Sequence, residues 1–266
     1  MLYNVKENTL NLSDIHMDYI TFGYGTKPLI MIQGLNTNGI KGAGISLAFM
    51  YRIFAKDYKV YLFDRRTDIS YDITVEDLAN DIAAAMDELN IKNADILGVS
   101  MGGMIAQYIA INRPDLVHRI VLAVTLCQNN ETVTSVINNW VNLTIKEDYK
   151  TLVTDMAEKM YSEKYLKRYR LFLPLLTLLQ KPKDKQRFIT LAKACLTCST
   201  YENLDKIKCP ILVIGGGEDK IVGKNACVEI AEKTGYCDSG YLCRIFKKKT
   251  GMTPGEYRKL YFSNMF

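Results

Sequence analysis

Histidine is nearly missing from this chain: its 266 residues hold two, His16 and His118. That scarcity leaves few candidates for a general base at neutral pH. No run approaches the roughly 18 apolar residues of a membrane span. The opening MLYNVKENTLNLSD carries no apolar core of the secretory kind. The seven cysteines are scattered and odd in number, so they indicate no disulfide framework. They are expected to be reduced and mostly buried, in a cytoplasmic protein. Cys195 and Cys198 form a CxxC without a second pair, and a core position on a helix-like stretch is its expected role. No metal, nucleotide or organic cofactor motif stands out, and none is expected. The run Gly215-Gly216-Gly217 follows a strand-like segment but lacks GxGxxG spacing and a following helix.

What remains is a globular balance, 48% hydrophobic and 24% charged. The net charge of +5 is uneven: from Val228 to the end, seven Lys/Arg face four acids. The tail therefore has the one plausible electrostatic footprint for nucleic acid. Upstream, short apolar runs alternate with helical stretches, which implies an α/β fold with a largely parallel sheet. The expected strands are 19–22, 29–33, 60–64, 94–99, 119–124 and 211–214. The expected helices between them are 46–56, 75–89 with Thr74 as N-cap, and 101–112 closed by Arg113-Pro114. From about 131 to 203 the pattern is purely helical. An insertion there is expected to sit as a cap over the sheet's carboxyl edge and to shape a small-molecule pocket.

The segment Ala94–Gly103 reads ADILGVSMGG. A buried strand enters Gly98-Val99-Ser100-Met101-Gly102 and a helix leaves it. Small residues on both sides of Ser100 allow a tight turn that strains the serine and lifts its hydroxyl to a helix N-terminus. The segment from about residue 15 to 223 resembles the α/β-hydrolase superfamily. The likeness is carried by Gln33-Gly34-Leu35, the FDRR of Phe63–Arg66, the Ser100 elbow, RPDLVHRIVL and ILVIGGGED. It implies Ser100 as nucleophile, the backbone N–H groups of Leu35 and Met101 as oxyanion donors, and Asp219 as the acid. Asp219 also follows a buried strand and a glycine run, and so should emerge at the same edge as Ser100; its neighbour Glu218 is the weaker alternative. The resemblance further implies a histidine on a loop after an eighth strand, and none follows Asp219 in the sequence. His118 opens the sixth strand, at the opposite edge; His16 is expected to precede the first strand.

From Val228 to Lys259 the chain reads VEIAEKTGYCDSGYLCRIFKKKTGMTPGEYRK. This closely resembles the second helix-turn-helix of AraC/XylS-type transcription regulators. Ile230, Ala231 and Tyr236 give one short helix an apolar face, and Gly235 suits a turn needing positive φ. Tyr241, Leu242, Ile245 and Phe246 line the next helix, and Thr253-Pro254 opens the last. The resemblance puts Ser239, Gly240, Arg244, Lys247 and Lys248 toward DNA.

Two domains are therefore expected, a hydrolase-like one over 1–223 that lacks its last strand and helix, and an all-α half-domain over 224–266. The missing strand would leave 211–214 as an apolar sheet edge. The leading functional expectation is a DNA-binding regulator on a hydrolase scaffold with an inactive or impaired serine site, formed by fusion of two incomplete parts. The alternative is an esterase-like serine hydrolase.

Overall fold

The computed structural model describes residues 2–12, 14–169 and 178–235, and beyond these 247–248, 250–253, 255–257 and 260. Seven strands form one sheet: β1 Lys6–Asn11, β2 His16–Phe22, β3 Lys27–Ile32, β4 Tyr58–Phe63, β5 Ala94–Val99, β6 Val117–Ala123 and β7 Ile211–Ile214. Their spatial order is β1-β2-β4-β3-β5-β6-β7. The pairs β1/β2 and β2/β4 are antiparallel, and all the others are parallel.

The central parallel strands β3, β4 and β5 are apolar on both faces because helices cover both. Ile30, Ile32, Leu62, Phe63 and Ile96 are all at most 1% exposed. Several strands begin two or three residues before the apolar runs that announce them. His16, Lys27 and Tyr58 join the ladder through their backbones while keeping polar atoms near solvent, so hydrogen bonding rather than hydrophobicity sets those ends. Strand β1 is not among the expected strands, because in KENTLN only Leu10 is buried. In consequence His16 opens the second strand instead of preceding the first.

The helices are α1 Gly44–Met50, α2 Val75–Glu88, α3 Met101–Asn112, α4 Glu131–Ile145, α5 Tyr149–Met160, α6 Glu163–Tyr169, α7 Lys185–Ala194 and α8 Ala226–Lys233. The stretch expected as one helix over 46–56 is instead α1 followed by a 3-10 turn at Arg52–Phe54. Helix α2 begins where Thr74 predicts. Thr74 Oγ1 accepts from the Asp77 amide at 3.1 Å, and Asp77 Oδ2 accepts from the Thr74 amide at 2.8 Å. Arg66, after β4, forms a two-armed ion pair with buried Asp81 of α2 and so fixes that crossover.

Helices α4 to α7 lie between β6 and β7 in the chain. Asn38, in the loop after β3, donates to the carbonyls of Leu179 and Lys181 and accepts from the Lys183 amide. Arg187 of α7 reaches Asp64, just past β4. The insertion thus covers the carboxyl ends of the central strands. Inside it, Trp140 Nε1 donates to Asp155 at 2.7 Å, and Val133, Ile137, Leu152 and Phe188 join the main core.

No strand follows β7 among the described residues. Its side chains alternate, and Leu212 and Ile214 stand 37% and 42% exposed. Gly235 adopts the expected positive φ, at 81°, and Thr253 caps reciprocally with Glu256. Residues 236–246 lie outside the described set, as do Pro254 and Arg258-Lys259. Helix α8, read in the sequence as the opening of the regulator-like tail, is built into the main core: Ala226 is 3% exposed and Ile230 fully buried. No helix among the described residues is long and apolar enough to cross a membrane. Truncating Ile230 to alanine should cost about 2–5 kcal/mol, as large-to-small core changes do, read as a lower urea midpoint. A change under about 0.5 kcal/mol, the surface range, would mean that α8 is detachable.

Candidate active site

The register of the sheet brings the carboxyl ends of β5, β6 and β7 level, because Val99 pairs with Ala123 and Ala123 with Ile214. Ser100 follows β5 and caps α3. Its backbone sits at φ 53°, ψ −119°, a region that a residue with a Cβ occupies only when its surroundings hold it there. Those surroundings are visible. A Cβ on Gly102 would lie 2.0 Å from the Ile32 carbonyl oxygen, and one on Gly98 2.4 Å from that of Gly102. Only glycine lets β3, β5 and α3 meet this closely. Thr125 Oγ1 then donates to the Ser100 carbonyl at 2.7 Å, while the Ser100 amide donates to Ala123 at 2.9 Å.

Ser100 is half-buried. No side chain among the described residues hydrogen-bonds its hydroxyl. Gly34, two residues past β3, sits against it: a Cβ there would be 3.2 Å from Ser100 Cβ and 3.7 Å from Oγ. Leu35 follows in the chain, and Met101 is the first residue of α3. Arg65 holds this loop. Its Nη2 donates to the Gln33 carbonyl and, at 3.1 Å, to that of Gly34. In the sequence the FDRR segment stands out only as a family marker, and this clamp is not among the expectations. A charged residue directly after an otherwise buried apolar strand was the available signal.

Asp219 lies five residues past β7, half-buried, whereas Glu218 is exposed. Asp219 Oδ1 accepts from the amides of Ile221 and Val222 at 2.8 and 2.9 Å. This closes the loop tightly, and Asn130 at the start of the cap anchors it by donating to the Val222 carbonyl. Cys227 of α8 also comes to this edge, its thiol at 3.4 Å from the Thr125 carbonyl oxygen.

Neither histidine reaches the serine. His118, second in β6, pairs beside Asp95 at the amino edge, with Nδ1 2.7 Å from Asp95 Oδ1. Five residues of strand, about 17 Å, separate that level from Ser100. Burial pushes Asp95 upward, but hydrogen bonds from His118, Tyr58 and Arg119 outweigh it and hold the carboxyl below its usual range. His16 is at the carboxyl edge, since β2 runs antiparallel to β4, but three strand spacings from β5, about 14 Å. There it pairs with Asn11 at 2.9 Å. Of the tail residues assigned to DNA, Lys247 and Lys248 are exposed. Ser239, Gly240 and Arg244 lie outside the described residues.

The fold that carries this edge has parallels among known proteins. The sequence model of the α/β hydrolase fold matches residues 27–248. This chain belongs to the α/β-hydrolase fold family. It is 23% identical over 242 residues to 3-oxoadipate enol-lactonase 2 of Acinetobacter baylyi, with 86% of each chain covered. The enol-lactonase structure from Burkholderia xenovorans LB400 superposes with a TM-score of 0.74 at 20% identity, covering 86% of this chain and 88% of that one. A different likeness covers 37 residues: 46% identity to the HTH-type transcriptional regulator YijO of Escherichia coli, over 14% of this chain and 13% of that protein.

Three thiols lie deep in this fold and stay protonated. Burial pushes Cys127, Cys195 and Cys198 up to about 12, so the thiolate is absent at neutral pH. The folded state favours the protonated thiols. Their contribution to stability is therefore complete below the unfolded thiol's value near 9 and is lost as pH rises toward 12. Urea midpoints should fall steadily between pH 9 and 11, and native protein at pH 8 should leave these three thiols unreactive to DTNB. A flat profile with rapid labelling would contradict their burial.

Proposed function

We propose that the Ser100 site is an acyl site for a carboxylic ester or lactone whose turnover is strongly impaired. In this reading Ser100 faces the carbonyl carbon, and the amides of Leu35 and Met101 receive the carbonyl oxygen. Asp219 is the acid that would orient a base, and a small molecule enters beneath the cap. The strained turn at Ser100 carries the reading, because a non-glycine residue is held at φ 53° only at cost, and here the cost exposes a hydroxyl. The kinship with an enol-lactonase supports the substrate class. A hydroxyl with no base is a poor nucleophile at neutral pH, and both histidines are far away. Oxyanion donors and binding alone leave about 10³–10⁴-fold over water, a small part of what a complete triad achieves.

Two measurements test this. A fluorophosphonate probe should label wild-type protein no faster than Ser100→Ala; rapid labelling that Ser100→Ala abolishes would mean that a base is present. Added imidazole should accelerate p-nitrophenyl acetate hydrolysis by the wild type beyond its effect on Ser100→Ala. Equal acceleration of the two would refute an acyl site poised for a base.

A second reading is favoured by the 37-residue regulator likeness together with the exposed Lys247 and Lys248. Here the tail is the second helix-turn-helix of an AraC/XylS-type reader fused after Gly223, with Ser239, Gly240, Arg244, Lys247 and Lys248 facing DNA. One such unit binds weakly and through phosphates. In gel shifts, replacing Lys247 and Lys248 together by alanine should flatten the log K against log salt slope by about two. An unchanged slope would rule out phosphate contacts by this pair.

A further inference from the structure

Three guanidinium nitrogens of this protein are buried without an acceptor among the described residues: Nε and Nη1 of Arg65, and Nη1 of Arg187. They come from two elements that meet at the seam between sheet edge and cap. Arg65 follows β4 and is 3% exposed; its Nη2 is committed to the Gln33 and Gly34 carbonyls. Arg187 belongs to α7, and its Nη2 lies 3.4 Å from Asp64 Oδ1 and 3.2 Å from the Arg65 carbonyl oxygen.

The charges here do not balance. Among the described residues, Asp64 is the one carboxylate acting on Arg65. Its oxygens also accept from the backbone amides of Arg65 and Ile40. Cys195, the other acidic group near Arg65, is a neutral thiol because burial pushes it up to about 12. Among the described residues, two guanidinium groups therefore share one carboxylate, with Arg65 enclosed and the Arg187 side chain 19% exposed. A buried cation without a counter-charge is expensive, and so is each buried N–H without an acceptor. One further negative charge would relieve both deficits. Gly34, whose carbonyl Arg65 grips, is the residue packed against Ser100, so that charge would sit within a short acyl chain of the serine.

We propose that Arg65 and Arg187 form an anion subsite beneath the cap that takes the free carboxylate of a substrate whose ester or lactone carbonyl sits at Ser100. The substrate class is then a half-ester or lactone of a dicarboxylic acid. The assignment rests on the acyl-site reading for its second half only. A monocarboxylate fits better than a phosphate dianion, since the surplus is one positive charge. The guanidinium edge also matches a planar carboxylate.

The test compares monomethyl glutarate with dimethyl glutarate by calorimetry on wild type, Arg187→Gln and Arg65→Met. The monoanion should bind wild type about 10-fold more tightly than the diester, the factor equivalent to about 1.4 kcal/mol. That preference should fall to near unity in Arg187→Gln, which keeps the Arg65 clamp; Arg65→Met supplies the second removal. Equal affinity of the two esters for wild type overturns the subsite and leaves the acyl site standing, as does a preference that survives in both variants. If neither ester binds, the acyl-site reading fails. The subsite is then judged by acetate alone: acetate should raise the melting temperature of wild type above that in chloride of equal ionic strength, and not that of Arg187→Gln. Absence of that difference overturns it.

Discussion

The close approach of β3, β5 and the first turn of α3 governs the rest of this molecule's chemistry. Two missing Cβ atoms, at Gly98 and Gly102, let the backbones come within reach of one another. The chain can then reverse from strand to helix in a single residue, and that residue must take a left-handed φ. The hydroxyl of Ser100, its neighbours in the loop after β3 and the helix N-terminus behind it converge because of that one turn. Thr125 and the Arg65 clamp hold what the glycines permit. The strain is local, but its support is spread over four strands.

In the proposed acyl site, a strained serine turn is not by itself acyl transfer. The serine needs a proton acceptor, and His16 and His118 sit about 14 and 17 Å away by strand geometry. Both histidines are tied up in local pairs, with Asn11 and with Asp95. The cation-rich seam between Arg65 and Arg187 has the opposite character, with donors in excess and acceptors too few.

Much of this was legible from residues alone. Helix α3 begins and ends where Met101 and the Arg113-Pro114 pair set it, and strands β5 and β7 coincide with their apolar runs. Those elements have a strong local cause, whether a glycine-bounded turn, a proline or an uninterrupted apolar stretch. Strand β1 has none, because KENTLN is polar and owes its conformation to pairing with β2. The Arg65 contacts were hidden for a related reason: they join residues more than 30 positions apart through backbone carbonyls, which leave no trace in side-chain identity. Helix α8 shows the converse. Its sequence resembles a regulator helix, yet Ile230 packs into the main core, because an apolar helix face carries no mark of the partner it will meet.

The loop at Asp219 has a consequence of its own. Its carboxylate already binds two amides of its own turn, so the loop is ordered before any partner for the carboxylate arrives. The entropy of fixing it is spent during folding. A visiting base therefore meets a rigid acceptor and loses only its own freedom on docking. That makes this edge of the sheet a place where a newly arriving donor would meet a carboxylate already fixed in position, with no rebuilding of the fold.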